Sequence, residues 1–433
     1  MSIAIVGLGF LIMLALMFLS IPVAAAIVAV GALGGMIFYG LPLLDMMGGV
    51  VWTSLNSPSI LAIPLFMLLG EILLRGGIAD KMFDAFSVWL DRLPGGLLHT
   101  NIATCALFSA TSGSSVATAA TVGTIALPAL SQRRYPVRAS LGSLAAGGTL
   151  GILIPPSINL LVYGSLANTS VGQLFAAGLI PGIVLAACFS IYIAVFQGAS
   201  GRDTDQPRIP LRTKITYLKH LFPPFLIFGV VMGSIYGGLA TPTESAALGV
   251  VIALVIVACM KRLTLALLLN CSLQAARTTG MTVLVLSCAL LLNVTISMLG
   301  ATQVVTQWVA GFGLNQISLL LVLIAFYVIL GMFMDAMSML VLTVPIAVPM
   351  VMAVGVDPVW FGIFIILMCE IALITPPVGM NLFVVQGIRR DGGSFQDVVA
   401  GSLPYVFIMI GFVIFTMIFP QVVMWLPDSL SGR

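Results

Sequence analysis

Charge is what this chain has least of. Only 7% of its 433 residues are Asp, Glu, Lys or Arg, against about a quarter in a soluble domain. With 60% of the residues hydrophobic, a water-soluble core cannot absorb the apolar sequence. The chain is therefore expected to be a polytopic membrane protein with the lipid bilayer as its solvent. Histidine occurs twice, and the cysteines at 105, 188, 259, 271, 288 and 369 form no CxxC pair. Neither a transition-metal site nor a disulfide frame is expected from so few and so scattered ligands. There is no GxxxxGK[ST] stretch, so direct ATP use is unsupported. No Ser-His-Asp set stands out, and neither enzyme activity nor a nucleic-acid partner is expected. No Lys or Arg precedes the first apolar run, so residues 3–20 read as a retained helix rather than a cleaved leader.

What charge there is sits in clusters. The 17 Lys and Arg residues gather at 75–92, 133–138, 202–219, 261–277 and 389–390, with Arg433 alone at the end, and none falls between 278 and 388. If basic loops face the cytoplasm, the N-terminus is periplasmic and every basic residue except Arg433 lies inside. The apolar stretch 95–130 then has basic flanks on both sides, so it enters and leaves from the cytoplasm as a re-entrant hairpin. The stretch 315–352 has no basic flank and enters from the other side. Crossings are expected at about 3–20, 23–39, 57–75, 139–168, 174–197, 220–237, 244–260, 279–299, 358–388 and 403–425. Residues 263–278 read as a short surface segment.

The two halves repeat each other in opposite orientation. Shifting the first by 221 residues lays Pro128 on Pro349 and Pro155-Pro156 on Pro376-Pro377. Inverted repeats with interrupted helices are the mark of secondary transporters. As one rod, 358–388 would run about 46 Å at 1.5 Å per residue, against a hydrocarbon core of about 30 Å. Each diproline removes backbone donors and crowds the preceding turn. Freed carbonyls are tolerated only beside protein or a polar cavity. Each diproline therefore marks either a structural kink or a broken helix whose carbonyls hold a cation and whose restarted N–H groups face an anion.

A hairpin tip precedes each break. The first, "TSGSSVAT" (111–118), offers hydroxyl oxygens or, alternatively, small residues for helix packing. The second, "GMFMDAMS" (331–338), contains Asp335, the only charged residue between Arg277 and Asp357. A carboxylate at that depth costs at least ~2.5–3.5 kcal/mol, a cost that a bound cation or local hydrogen bonds would offset. Glu244 fits a capping box with Thr241 ahead of Pro242. Glu71 stands four residues before Arg75, the spacing of a helical pair. Glu370, just before the second break, is open to a proton-relay or a structural reading.

The stretches "IPLFMLLGEILLRGGIADKM", "LPGGLLHTNI", "SGSSVATAATVGTIALPAL", "GGTLGILIPPSINLLVYG", "GGLATPTESAALG", "GMFMDAMSMLVLTVPIAVPM" and "TPPVGMNLFVVQG" cover nearly the whole chain in order. In them the sequence resembles the large membrane subunit of tripartite ATP-independent periplasmic (TRAP) transporters of the dicarboxylate type. The resemblance implies an elevator-type, sodium-coupled importer in the bacterial inner membrane. Its implied partners are a soluble periplasmic substrate-binding protein and a small four-helix membrane subunit. Sodium is implied as the coupling ion, with no other cofactor. The implied sodium sites are Ser112, Gly113, Ser114 and Ser115 with Gly151 to Pro156 (Pro155 included), and Gly331 and Asp335 with Thr375, Pro377, Gly379 and Met380. The organic anion would sit near Ser114, Ser157, Asn159, Asp335 and Asn381. Asn159 departs from the family, which more often carries proline or an apolar residue there.

The expected fold is thus all-α, an inverted repeat with two re-entrant hairpins and two broken helices. The expected division is 1–92 scaffold and arm, 93–197 first transport half, 198–219 cytoplasmic linker, 220–312 second scaffold and arm, and 313–433 second transport half. No basic residue lies in the expected site, so hydroxyls and helix ends must hold a substrate carboxylate. The rival readings are a stand-alone sodium/dicarboxylate symporter, an intramembrane carboxylate-dependent hydrolase and a passive channel.

Overall fold

Proline stands in the first turn of several helices, as at Pro42, Pro58, Pro242 and Pro358, although Pro64, Pro128, Pro181 and Pro404 lie inside helices. The computed structural model describes residues 3–40, 42–198 and 210–431, and every element among them is a helix. The first half runs α1 (Ile3–Phe18), α2 (Val23–Tyr39), α3 (Pro42–Leu55), α4 (Pro58–Arg75), α5 (Ile78–Leu90), α6 (Leu97–Ser112), α7 (Ser115–Gln132), α8 (Val137–Thr149), α9 (Ile158–Ala167) and α10 (Val171–Phe196). The second runs α11 (Leu211–Leu218), α12 (Phe222–Tyr236), α13 (Pro242–Cys259), α14 (Leu265–Met298), α15 (Ala301–Ala310), α16 (Gln316–Gly331), α17 (Ala336–Met352), α18 (Pro358–Ile374), α19 (Met380–Ile388), α20 (Phe395–Ile418) and α21 (Gln421–Ser431). Helices α10, α13, α14 and α20 are each long and apolar enough to cross a membrane. Residues 199–209 of the linker expected at 198–219, and Arg433, lie outside the described residues, and α11 occupies the linker's end.

Helices α1 to α10 correspond in order to α12 to α20, with α11 and α21 additional, and one difference has a visible cause. Helix α3 ends at Leu55 and α4 starts at Pro58, because proline cannot donate to the preceding turn and biases the residue before it away from helix. The second half has no proline at the corresponding place. There α14 runs unbroken for 34 residues, so 263–278 is the first part of a long helix rather than a surface segment. Helix α3 itself was not anticipated. After α4 the chain turns by 64° into α5 through Gly77, whose φ of +73° is open to glycine at little steric cost. Gly300, at φ +65°, makes the matching turn between α14 and α15. The capping box at α13 is present: Glu244 accepts from the Thr241 amide at 2.8 Å, and Thr241 Oγ1 accepts from the Glu244 amide at 3.3 Å. The Glu71–Arg75 pair is present at 2.9 Å.

Packing sorts the helices into two groups. Helices α2, α4, α13 and α14 lie against one another, with α1 and α12 flanking. Helices α6 to α10 and α16 to α20 form the other group, joined across the repeat by α8 against α20. That contact is backbone on backbone: a Cβ on Gly142 would lie 2.0 Å from the Gly401 carbonyl oxygen. Small residues permit such approach where lipid supplies no hydrophobic drive between helices. The broken pieces cross over as well. Helix α9 packs on α17 of the second half, and α19 packs on α7 of the first.

Candidate functional site

Both diproline segments interrupt their helices. Between α8 and α9 residues 150–157 leave the helix, and between α18 and α19 residues 375–379 do. Helix α9 resumes on a side-chain cap, whereas α19 starts after Gly379 without one. Ser157 accepts from the Leu160 amide at 3.4 Å and donates to the Ile152 carbonyl at 2.6 Å. Thr375 Oγ1 donates to the Ile371 carbonyl at 2.7 Å, closing the end of α18.

The first tip is built to meet its break. Gly113 turns the chain at φ +62°, and Ser114 caps α7 by accepting from the Ala117 amide at 3.4 Å. Thr118 Oγ1 donates to the Ser114 carbonyl at 2.8 Å and lies 3.0 Å from Ser112 Oγ. Ser115 Oγ donates to the carbonyl of Thr149, the last residue of α8, at 2.8 Å. Glycine closes the remaining distance. A Cβ on Gly151 would sit 2.6 Å from Ser115 Cα and N, and one on Gly113 would sit 2.8 Å from the Pro156 carbonyl oxygen. Ser112, Gly113, Ser115 and residues 151–157 are buried, and Ser114 is half-buried. The structure thus brings together the whole first set expected from the sequence. Thr118 and Thr149 join it. Thr118 stood in the quoted tip, whereas Thr149 contributes a backbone carbonyl, for which a sequence carries no signal.

The second tip is assembled differently. Asp335 caps α17, accepting from the Met337 amide at 3.1 Å, the Ser338 amide at 3.4 Å and the Ser338 hydroxyl. Its carboxylate is therefore engaged by its own helix start, the local satisfaction that the sequence left open. The hairpin meets α18 one turn ahead of the break. A Cβ on Gly331 would lie 2.6 Å from Ala372 Cβ, and Cys369 Sγ donates to the Ala336 carbonyl at 3.5 Å. At the break, a Cβ on Gly379 would stand 3.0 Å from the carbonyl oxygens of both Leu373 and Thr375. Two carbonyl oxygens thus border the space beside this glycine, and that of Thr375 also accepts from the Gly379 amide at 3.1 Å. Pro377 and Met380 are exposed, so the second break is open where the first is closed.

Of the residues expected at the substrate, Ser114 and Ser157 flank the contact of tip and break, and Asn381 Nδ2 would lie 3.1 Å from a Cβ on Gly148. Asn159 and Ser157 are buried at the start of α9. Asn381, fully buried in the first turn of α19, reaches into the first half and donates from Nδ2 to the Ala145 carbonyl at 3.3 Å. Its Oδ1 has no hydrogen-bond partner. Glu370 on α18 is also fully buried, and its carboxylate faces the backbone of Leu153 in the first break without a hydrogen bond of good geometry. Among the described residues, no group of three or more His, Cys, Asp and Glu could hold a metal ion.

The family model for the tripartite ATP-independent periplasmic transporter, DctM component, matches residues 10–422. The chain belongs to the DctM family. A C4-dicarboxylate TRAP transporter large permease protein from Pseudomonas aeruginosa is 34% identical over 86% of this chain and 87% of its own length. An isethionate TRAP transporter permease protein from Oleidesulfovibrio alaskensis is 32% identical over 94% of this chain. The chain spans 62% of the length of that relative. In fold, this DctM chain is similar to the YdaH transporter of Alcanivorax borkumensis. The TM-score is 0.65 at 14% identity, covering 89% of this chain and 90% of that one.

Proposed function

We propose that this chain is the membrane-embedded permease of a sodium-coupled importer of a small organic acid. The observation that supports it most directly is the contact of Ser112–Ser115 with the first break, where hydroxyl and carbonyl oxygens gather with no charged side chain among them. Such neutral oxygen donors suit sodium. Ser112 to Ser115, Thr149 and Gly151 to Pro156 would hold one ion, and Leu373, Thr375 and Gly379 a second. Bound sodium supplies positive charge at both breaks, and each ion entering down 100 mV contributes about 2.3 kcal/mol. The chain's own residues do the rest. The tips close over the breaks, and the restarted helices α9 and α19 direct backbone N–H groups at an anion between them. The two relatives are named for C4-dicarboxylates and isethionate, both small acids.

In this reading the protein works in the bacterial inner membrane with a periplasmic binding protein and a small membrane subunit. Helices α6–α10 and α16–α20 then move as an elevator past α1–α4 and α12–α14. The basic loops lie on the cytoplasmic side and both termini are periplasmic. The test is uptake of a panel of labelled organic acids into proteoliposomes holding the chain and both partners. Accumulation that requires an inward sodium gradient supports the proposal; equal uptake in potassium medium overturns the coupling.

A further inference from the structure

Helices α7 and α19 start at the candidate site and end together at a cavity of about 920 Å³. Gly123, Thr124, Ser131 and Arg134 line it from the first half, and Gly387 and Arg390 from the second. At 1.5 Å per residue, Gly123 lies about 12 Å along α7 from Ser115, and Gly387 about 9 Å along α19 from Asn381. The cavity wall therefore begins within about 12 Å of the breaks along these two helices.

Its charge balance is one-sided. Arg389, which also lines the cavity, pairs with Asp391 and Asp397, and Asp397 is shared with Arg138. Arg133 pairs with Asp91. Among the described residues Arg134 and Arg390 have no ion pair. The C-termini of α7 and α19 each bring roughly half a negative charge, so the two guanidiniums leave about one positive charge uncancelled. Helix-end neutralisation alone therefore does not use up both arginines. Helix α17, the counterpart of α7, faces a cavity of about 720 Å³ lined by Phe10, Trp308, Phe312 and Phe326, with no charge. Of these two cavities, the one at the ends of α7 and α19 has the cationic lining.

We propose that this cavity is an anion-binding vestibule that receives the carboxylate leaving the breaks, with Arg134 and Arg390 as its ligands. The inference rests on the importer reading above and adds a second station to it, on the face that the basic loops assign to the cytoplasm. Arginine recognises carboxylate and phosphate alike, so an acidic lipid headgroup is the competing source of the same chemistry. The volume falls in the range of small-molecule sites, and both walls lead from the breaks, which favours the transported acid.

The experiment measures succinate binding to the purified full chain in sodium-free phosphatidylcholine nanodiscs. The double variant R134Q/R390Q is expected to weaken binding at least about tenfold. Either single variant is expected to weaken it less, and R212Q, outside the cavity, not at all. Melting temperatures confirm that the variants fold. Equal succinate affinity in the parent and double variant overturns the proposal. So does succinate binding that disappears when half the lipid is phosphatidylglycerol, together with lipid retained through Arg134 and Arg390, since the ligand is then a headgroup. Uptake by the complete transporter separates the two levels. If no acid is imported, the parent reading fails. If import proceeds unchanged in the double variant, only the vestibule fails.

Discussion

Gly151 carries the most stringent test of the tip–break contact. A methyl group there would meet Ser115 Cα and N at 2.6 Å and Ser114 C at 2.7 Å. All three are backbone atoms, so no side chain can swing aside. Ordinary contact begins near 3.4 Å, and the tip must retreat by about 1 Å. Overpacking of this kind costs about 1–3 kcal/mol. The retreat lengthens the Ser115–Thr149 hydrogen bond and opens the oxygen cluster assigned to sodium. If that cost falls on the ion-loaded state, Gly151→Ala raises the sodium concentration for half-maximal uptake by roughly 5- to 150-fold. The assay is initial uptake rate against sodium in proteoliposomes, normalised to folded protein. Gly229→Ala, whose methyl would meet nothing within 4 Å, serves as control. A Gly151→Ala transporter with the parent's sodium dependence and melting temperature would refute the contact.

Asp335 tests the second tip. Asp335→Ala removes the cap of α17 and should cost about 1 kcal/mol in thermal unfolding, while Asp335→Ser keeps the cap. If Asp335→Ser also retains the parent's sodium dependence, the carboxylate is structural only. Glu370 should tolerate Gln with an unchanged or higher melting temperature, because an unpaired buried carboxylate is costly. Glu370→Ala, which leaves a void, should lower it. At the loop after α19, the hydrogen bond from Arg389 holds the Asp391 carboxyl below its usual range. A depressed carboxyl stabilises the fold fully above its unfolded value near about 4 and loses that effect as pH falls below it. Proteolysis at this loop should therefore rise below about pH 4 in the parent. Asp391→Asn should already be more labile than the parent at pH 7 and rise less than the parent does below about pH 4, the remaining rise coming from Asp397, which Arg138 and Arg389 also hold below its usual range.

Much of this architecture was legible because membranes leave few solutions. The basic residues Arg92, Arg133, Arg134, Lys261, Arg262, Arg389 and Arg390 fall between helices, and the matched diprolines marked the breaks. The repeat implied two hairpins, and capping chemistry at Thr241 and Glu244 fixed a helix start. What could not be read depended on tertiary contacts or backbone. Helix α3 went unseen because Pro42 and Pro58 enclose a stretch too short and mixed to span. The continuity of α14 turned on the absence of one proline, which gives no positive signal. Asp335 looked like a bare intramembrane charge because a sequence does not show which amides a carboxylate will cap. Asn381 was expected near the substrate; the reach of its amide to the carbonyl of Ala145 is a contact across the repeat that no sequence shows. The contact between first tip and first break was expected from family likeness; the glycine approaches that create it needed coordinates.

The exchange of broken pieces, α9 onto α17 and α19 onto α7, bears on how such a chain could have arisen. A lone half would leave its short post-diproline helix without the neighbour it now leans on. Two oppositely inserted copies would supply that neighbour to each other. An ancestral single-repeat polypeptide would thus have had reason to pair head-to-tail before any fusion joined the copies. By the same logic, the present protein severed between its halves should regain activity only when both fragments are made together.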